Sequence, residues 1–464
     1  MVATLALERV GAVINPVAPI FRERELRSML QLATPVAAIF ASHFRGWDYR
    51  AMFAQLQSET PSLRLLIGVD DRDGEQTITW HQVLARGAEL GKYRLALDWL
   101  RPSADDVTEL MFTSGTTGEP KGVLHTANTL NSAAMATIRD ARLAGDEVIH
   151  MASTLGHQTG FLYGVRLPLL LGATAVYQDR WDADAFVRLV DEEHITMTLG
   201  ATPFLADTLR ACRTSGSRVK SLRTFFCGGA PIPQPLADEV VAHLACRLVP
   251  CWGMTEVAIV TSVQPDDPLE KVVTTDGRPC QEMEISVRDA LGSELGPGQE
   301  GDLVARGAHT FVGYVQGARF TERCFTADGW LKTGDRARRD ADGYIRITGR
   351  TKDIIIRGGE NVPVKEIEDV VLRHPKVLNV ALVGVPDERL GEVGCACIIL
   401  EPGETLALDE LQIFLTEQQV TRQFWPEQLE LMSEFPMTPS GKVQKFQLRE
   451  MLARTQSAAS PVAA

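Results

Sequence analysis

A loop rich in glycine and hydroxyl residues, placed after a short apolar segment, carries the strongest chemical signal in the sequence. The segment 110–112 predicts a strand, and the loop that follows has the sequence TSGTTGEPKG. Glycines let the backbone approach a polyphosphate closely, and hydroxyl groups and a lysine can bind its oxygens. Gly122 follows the lysine where a Walker loop requires Ser or Thr, which indicates a different class of phosphate loop. The candidate phosphate-binding residues are Thr113, Ser114, Gly115, Thr116, Thr117, Gly118 and Lys121.

Four later segments contain polar residues that could complete such a site. Each of these residues has a simpler interpretation when it is taken alone: a solvated glutamate, an aspartate in a turn or a lysine in a loop. Only their convergence on one ligand would give them a joint role. The candidates are Thr255 and Glu256 in WGMTE, Asp335 in GWLKTGD, Arg350 in GRTKD and Lys442 in PSGK.

The elements that must position these residues alternate between helix and strand. Asp182 can cap a helix whose apolar residues recur on one face. Further helices are predicted over 204–212 and 236–245, and strands over 195–199, 222–227 and 247–251. Strands and helices that alternate with short connections predict a parallel sheet covered by helices.

Two changes of pattern divide the rest of the chain. Short runs punctuated by glycine predict antiparallel β structure over about 274–348. After residue 351 a helix over 364–373 and strands over 377–385 and 395–400 predict a small α+β domain. We therefore expect an α/β protein with a large N-terminal domain, 1–351, of parallel or mixed sheets with helices and a β-rich portion. A small, mobile α+β domain, 352–464, follows it.

Composition narrows the classes of function. The chain has 47 basic and 60 acidic residues, a net charge of −13, and no long basic run, so we expect no nucleic-acid partner. Eight cysteines without metal-ligand spacing suit a reducing compartment, and the cytoplasm is expected. No secretory signal is visible, and Pro168 and Gly172 break the longest apolar stretch, so no transmembrane segment is expected. A homodimer is possible.

Together these segments carry a resemblance to a known family. The phosphate loop and the four later segments resemble, in the same order, the motifs of acyl-CoA synthetases, peptide-synthetase adenylation domains and firefly luciferases. The local sequences LGHQTGF, 155–161, and GATPF, 200–204, look most like short- and medium-chain acyl-CoA synthetases and cyclohexanecarboxylate–CoA ligases. In such relatives a longer opening segment precedes the stretch that begins at Val10. The first part of the large domain is therefore expected to be absent.

The resemblance implies how a nucleotide would be held. Glu256 would bind Mg²⁺, and Thr255 would lie near the α-phosphate. Asp335 would accept hydrogen bonds from the ribose hydroxyls, and Arg350 would bind the same nucleotide. Trp252 stands where the family often has tyrosine and would face the adenine, although a core role for this aromatic residue is equally open. The small residues that would leave room for the nucleotide are Gly228, Gly229, Ala230 and Gly253.

The same resemblance implies a reaction in two steps. Lys442 would bridge the attacking carboxylate and the phosphate of ATP, and His157 would stand at the mouth of the acyl pocket, although a structural role for it stays open. The small domain would then rotate, so that Gly358 and Gly359 line the path of coenzyme A. The expected activity is that of an ATP-dependent acyl-CoA synthetase for short- or medium-chain fatty or alicyclic acids. The alternatives are an adenylating enzyme that loads a carrier protein and a nucleotide-binding protein without turnover.

Overall fold

The described residues of the computed structural model form two compact units. It describes residues 1–70, 77–91, 101–113, 120–229, 232–315, 317–350, 355–357, 360–387, 390–418, 420, 422–438 and 441–459. The first unit consists of Met1–Asn131, Leu155–Phe161 and Phe311–Arg323. The second consists of Ser132–Thr154, Leu162–Thr310 and Cys324–Ala464.

Helices and strands alternate along much of the described chain. The helices are α1 (Val2–Arg9), α2 (Glu23–Ala33), α3 (Tyr49–Glu59), α4 (Trp80–Leu90), α5 (Ala127–Ala141), α6 (Gln158–Phe161), α7 (Leu167–Leu171), α8 (Ala183–Glu192), α9 (Thr202–Ser215), α10 (Gln234–His243), α11 (Leu269–Thr274), α12 (Ala318–Arg323), α13 (Val364–Val371), α14 (Leu408–Glu417) and α15 (Lys445–Ala459). A π-helical turn, Leu162–Arg166, joins α6 to α7.

The strands are β1 (Ala37–Phe40), β2 (His43–Phe44), β3 (Trp47–Asp48), β4 (Leu65–Gly68), β5 (Ile78–Thr79), β6 (Val107–Thr113), β7 (Lys121–Thr126), β8 (Val148–Met151), β9 (Thr174–Tyr177), β10 (Met197–Gly200), β11 (Thr224–Gly228), β12 (Arg247–Met254), β13 (Ala258–Ser262), β14 (Arg278–Pro279), β15 (Met283–Arg288), β16 (Glu300–Gly307), β17 (Gly313–Tyr314), β18 (Leu331–Arg339), β19 (Ile345–Arg350), β20 (Ile355–Arg357), β21 (Glu360–Val362), β22 (Val377–Asp387), β23 (Gly391–Leu400) and β24 (Gln428–Leu431).

The first unit contains two small three-stranded sheets. Strands β1, β4 and β5 run parallel to one another. Strands β6 and β7 form an antiparallel hairpin, and β17 pairs with the other edge of β7. Leu26, Met29, Leu56 and Leu66 are all less than 9% exposed and belong to one apolar cluster, which is the core of this unit.

The second unit is built on a mixed sheet with the order β14-β13-β12-β11-β10-β8-β9. Its strands β8 to β12 are parallel, β13 pairs antiparallel with β12, and β14 pairs antiparallel with β13. Helices α8, α9 and α10 pack apolar residues against it, among them Phe186, Leu205 and Val240. Asp182 caps α8 as predicted, because its Oδ1 accepts a hydrogen bond from the Ala185 N–H (2.8 Å).

The later part of the second unit consists of β sheets and the predicted α+β lobe. Strands β15, β16, β18 and β19 form an antiparallel sheet. In the lobe, β22 and β23 pair along their length, and apolar residues cover both faces: Leu382 and Ile398 belong to one cluster, and Val383 and Cys397 belong to another. The predicted α/β class, with a large N-terminal part and a smaller C-terminal domain, is confirmed. The boundary expected at residue 351 lies outside the described residues and stays a prediction.

Two features of composition have structural counterparts. All eight cysteines are free thiols, and all except Cys324 are buried. Among the described residues, no helix combines the length and the hydropathy that crossing a bilayer requires.

Candidate nucleotide site

Asp335 lies at the centre of a hydrogen-bonded group in the second unit. Its carboxylate is buried, and each oxygen has a different partner: Oδ2 accepts from Trp252 Nε1 (2.9 Å) and Oδ1 accepts from Arg350 Nε (3.1 Å). Asp335 and Arg350 face each other in the β18–β19 pairing, which explains why the segments GWLKTGD and GRTKD meet. Thr333 fixes the backbone, because its hydroxyl accepts from the Asp335 N–H (3.1 Å) and donates to the Leu303 carbonyl (2.6 Å).

Lys442 lies at the end of a short turn in the lobe. The Thr438 N–H donates to the Lys442 carbonyl (2.7 Å), and the Lys442 N–H donates to Thr438 Oγ1 (3.0 Å). Met437 and Val443 form a β-bridge beside these bonds, so the turn is closed on both sides. The lysine side chain extends to Gly229, where a β-carbon would be 3.1 Å from Lys442 Cε and 3.6 Å from Nζ.

The electrostatic surroundings of Lys442 combine both signs of charge. Burial of its ammonium group is the largest effect and lowers the pKa to about 8, although the residue as a whole keeps some exposure. Arg350 lowers the pKa further, while Asp335 and Glu256 raise it. The four segments WGMTE, GWLKTGD, GRTKD and PSGK therefore contribute charges to one place. The structure brings together Glu256, Asp335, Arg350 and Lys442, which lie far apart in the sequence.

Thr255 and Glu256 occupy the tight turn between β12 and β13. Both residues are buried, with exposed fractions of 9% and 6%. A solvated surface position for Glu256 is therefore excluded. The turn requires glycine at position 253, because a β-carbon there would be 1.9 Å from the Ala258 carbonyl oxygen. This close approach of the two strands fixes the path of the backbone through Thr255 and Glu256.

A bulge next to this turn is held by side chains from elsewhere in the unit. Trp252 pairs with Thr261 and Gly253 pairs with Ile259, so the intervening residue of β13 has no direct partner in β12. The Ile259 N–H donates to the Tyr163 hydroxyl (2.9 Å), and its carbonyl accepts from His309 Nδ1 (3.2 Å). Sequence reasoning missed Tyr163, which lies in an apolar run without a chemical signal. Thr333 lies in the motif GWLKTGD, where no sequence pattern indicated its structural role.

The remaining small residues of the predicted site fit narrow places. Gly228 and Cys251 face each other in the β11–β12 pairing, and a β-carbon on Gly228 would be 2.5 Å from the Cys251 carbonyl oxygen and 2.7 Å from its Sγ. Gly228 is therefore required by the packing of β11 against β12. Gly229, the next residue, is the one that faces Lys442.

The other described candidates lie in the first unit. Thr113 and Lys121 pair across the β6–β7 hairpin, so they stand at the two ends of the phosphate loop. The Lys121 ammonium lies 5.4 Å from the centre of the Phe320 ring. His157 precedes α6: its Nδ1 accepts from the Thr159 N–H (3.2 Å), and its carbonyl accepts from the Phe161 N–H (2.9 Å). These contacts give His157 a structural role at a helix start, and its role in the acyl pocket stays a prediction. The candidates outside the described residues are Ser114, Gly115, Thr116, Thr117, Gly118, Ala230, Gly358 and Gly359.

The gathered residues fit a nucleotide with Mg²⁺. Among the described residues, no group of three or more acidic, histidine or cysteine side chains could enclose a metal ion. Mg²⁺ bound with a nucleotide uses few protein carboxylates, so Glu256 alone can serve. Asp335 retains acceptor capacity on a carboxylate that is already fixed in place. Lys442 and Arg350 are cations that could pair with phosphate oxygens.

Comparison with known proteins gives consistent results over the chain. Residues 1–315 match the family model of AMP-binding enzymes, and residues 366–442 match the model of the AMP-binding enzyme C-terminal domain. The chain is 36% identical over 452 residues to the medium-chain fatty-acid–CoA ligase of Escherichia coli (strain K12), covering 97% of this chain and 79% of that protein. It is 33% identical over 447 residues to the salicyl-AMP ligase / salicyl-S-ArCP synthetase of Mycobacterium tuberculosis (strain ATCC 25618 / H37Rv), covering 96% and 77%. The ATP-bound structure of MatB from Rhodopseudomonas palustris superposes with a TM-score of 0.83 at 26% identity, covering 97% and 86%.

Proposed function

The chain belongs to the adenylate-forming superfamily of AMP-binding enzymes, and from that premise we propose that it is an ATP-dependent acyl-CoA synthetase. In the first step, an oxygen of a carboxylic acid attacks the α-phosphorus of ATP. The new bond forms the acyl-AMP, and the bond to pyrophosphate breaks. In the second step, the thiol of coenzyme A attacks the acyl carbon, and AMP leaves with the electron pair of the broken bond.

The position of Lys442 beside Gly229, among the charges of Glu256, Asp335 and Arg350, is the observation that carries this proposal. The first step brings two anions together, so it depends on cations and fixed donors more than on a base. An ammonium group at this place can offset the charge of both the carboxylate and the phosphate. When Mg²⁺ is bound, it neutralises phosphate charge, and Glu256 would be its protein ligand.

Asp335 and Arg350 would hold the nucleoside part of the substrate. The lone pairs of Asp335 that Trp252 and Arg350 do not use can accept the ribose hydroxyls. Arg350 is half-exposed at the side chain, so its guanidinium can also reach the nucleotide. Thr255 would contact the α-phosphate from the turn that it shares with Glu256. By the resemblance to the family, the phosphate loop, 113–121, which includes Lys121, would bind the polyphosphate of ATP.

The second step would require the lobe, 352–464, to move, because the lysine turn would otherwise occupy the route of the thiol. Arg346 of β19 contacts Asp369 of α13 at 3.9 Å and Asp276 at 3.6 Å. Of these two, only the pair with Asp369 joins β19 to the lobe, and a partly exposed pair of this length contributes little stability, so it can be broken at small cost. Gly358 and Gly359 would then line the path of coenzyme A.

The acid would be a short- or medium-chain fatty or alicyclic acid. No carboxylate stands next to His157 in the sequence to pair with a substrate ammonium, which favours a neutral acid tail. The likeness to a medium-chain fatty-acid–CoA ligase supports the same class. One observation favours a second candidate function: a relative of similar identity is named as a salicyl-S-ArCP synthetase. In that candidate, a carrier protein would replace coenzyme A as the acceptor.

A pyrophosphate-release screen tests the proposal. The full chain is incubated with ATP, Mg²⁺ and acids of graded chain length and ring content, with coenzyme A, with a phosphopantetheinyl carrier protein or with neither. We expect turnover with an aliphatic or alicyclic acid and coenzyme A. Lys442→Ala should lower adenylation about 10²-fold, by analogy with other lost electrostatic contacts. Lys376→Ala, which removes a lysine paired with Glu410 in the lobe, should not. Turnover with the carrier alone would favour the second candidate, and no pyrophosphate with any acid would refute both.

A further inference from the structure

The indole of Trp252 presents its N–H edge to Asp335. The Nε1–Oδ2 distance is 2.9 Å, and the two residues are 8% and 7% exposed. A buried carboxylate oxygen that loses its donor is left with the full cost of desolvation, so this bond constrains both side chains. The indole N–H is a donor only and sits on a rigid ring. The N–H edge of Trp252 therefore binds Asp335, whereas its ring face would contact adenine.

The other partner of Asp335 is less rigid. The Arg350 side chain is 49% exposed, whereas the Asp335 side chain is 10% exposed. A long, half-exposed side chain loses rotamer freedom when it is held in one position, so it orients a carboxylate less firmly than a buried ring does. Thr333 fixes the Asp335 backbone but not its carboxylate. Trp252 is thus the buried side chain that sets the rotation of the carboxylate plane.

A fixed carboxylate plane has a chemical consequence. An ionised carboxylate offers about four lone-pair positions, and Trp252 and Arg350 occupy one on each oxygen. The remaining positions point in directions that are set by the two bonds already made. Two acceptors with fixed directions suit a vicinal diol, which presents two hydroxyl donors on neighbouring carbons. Phenylalanine at position 252 would keep an aromatic face but would supply no such donor.

We infer that Trp252 is a positioning residue whose indole N–H orients Asp335 so that the carboxylate selects nucleotides that carry both ribose hydroxyls. The inference rests on the proposed function, because it assigns the ribose to Asp335. The inference adds that the indole N–H of Trp252 makes the recognition of the ribose by Asp335 selective. In this chain the selectivity depends on tryptophan and not on aromatic character alone.

The test measures nucleotide binding without any acid substrate. Mg²⁺ complexes of ATP, 2′-deoxy-ATP and 3′-deoxy-ATP are titrated into the wild type and into Trp252→Phe by calorimetry. Trp181→Phe is the matched control, because Trp181 Nε1 donates to Asp207 Oδ2 at the same distance, 2.9 Å. Asp335→Asn is combined with Trp252→Phe to show whether the two residues act together.

We expect the wild type to prefer ATP over each deoxynucleotide by about tenfold or more, since an unpaired buried acceptor opposes the analogue. Trp252→Phe should reduce this ratio about fivefold, mainly by weakening ATP. Trp181→Phe should leave the ratio unchanged, and Trp252→Phe should have no further effect on it in Asp335→Asn. A wild-type ratio retained by Trp252→Phe, or an equal loss for all three nucleotides, would overturn the inference alone. A wild type that binds no ATP would overturn the proposed function with it.

Discussion

Lys442 packs its terminal methylene and ammonium groups against Gly229, where a β-carbon would be 3.1 Å from Cε and 3.6 Å from Nζ. Gly229 also has φ +81°, a conformation that favours glycine. We predict that Gly229→Ala displaces the ammonium group and lowers acyl-AMP formation about tenfold or more. Pyrophosphate exchange with the acid found in the screen measures this effect.

Gly216→Ala is the control for backbone strain, because it adds this strain without affecting the position of Lys442. Gly216 has φ +72°, and a β-carbon there would meet no atom within 4 Å. Both substitutions carry the strain of a left-handed residue, but only Gly229→Ala adds the contact with Lys442. Equal losses of exchange in the two variants would show that strain alone is responsible.

The lowered pKa of Lys442 predicts a pH dependence of ATP binding. With a pKa of about 8, the free protein loses this positive charge as the pH rises through that value. A bound polyphosphate favours the protonated lysine and raises its pKa again. Above pH 8, ATP binding is therefore coupled to the uptake of a proton by Lys442. Well below pH 8 this lysine is already protonated, so binding takes up no proton. ATP affinity should fall with rising pH above 8 by up to about tenfold per pH unit.

Calorimetry in two buffers with different ionisation enthalpies counts these protons. At about pH 9 the observed heat should depend on the buffer, and at about pH 7 it should not. Lys442→Ala should remove the dependence, and Lys376→Ala should keep it. Heats independent of the buffer at the higher pH would contradict a lysine with a lowered pKa in the site.

Tyr163 has no proposed role in the reaction, but its hydroxyl group is expected to contribute to the stability of the fold. Its hydroxyl accepts from the Ile259 N–H within the buried β12–β13 bulge. Tyr163→Phe leaves that N–H without an acceptor, which should lower the free energy of unfolding by about 1–3 kcal/mol. Tyr177→Phe is the control: its hydroxyl donates to the Gly164 carbonyl at 2.7 Å, but the residue is 44% exposed, so water can replace the bond. Denaturant unfolding of both variants should therefore show the larger loss for Tyr163→Phe.

His150 predicts acid sensitivity in the core of the mixed sheet. Its ring is fully buried, with Nδ1 at 3.0 Å from Thr198 Oγ1 and Nε2 at 3.2 Å from Gln178 Oε1. Burial lowers its pKa from 6.5 to about 4. As the pH falls below 6.5, the unfolded chain takes up a proton that the folded protein does not accept until about pH 4. Stability is therefore lost in this window.

The matched substitutions are His150→Gln and His243→Gln, the second at an exposed residue. Between about pH 7 and about pH 5, the wild type should lose about 2 kcal/mol more stability than His150→Gln does. His243→Gln should follow the wild type. Parallel stability curves for the wild type and His150→Gln would show that His150 does not cause the loss.

Sequence patterns predicted the elements of the mixed sheet because local signals set them. Apolar spacing predicted a helix over 204–212, whereas α9 extends over Thr202–Ser215. The additional residues follow from two signals that the spacing does not contain: Pro203 in the first turn and Gly216 in a left-handed conformation after the last one. The α/β class and the C-terminal domain were predicted for the same reason.

The contacts of the site could not be predicted in this way. The motifs identified Trp252 and Asp335, but the bond between them joins residues 83 positions apart and depends on how two sheets pack. The same holds for Tyr163, whose partner is a backbone N–H freed by a bulge. For His157 the sequence left two roles open, one in the acyl pocket and one structural. The contact of its ring with the Thr159 N–H shows the structural role but does not test the other.

In the lobe, the last helix, α15, packs under the turn that carries Lys442. Phe435 and Val443 lie on either side of the lysine turn, and both pack in the apolar cluster that includes Leu448 and Leu452 of α15. The helix therefore supports the lysine turn through hydrocarbon packing, in addition to the Thr438–Lys442 bonds that close the turn. A cavity opened in this packing would let the ammonium group move while Glu256 and Asp335 stay in place.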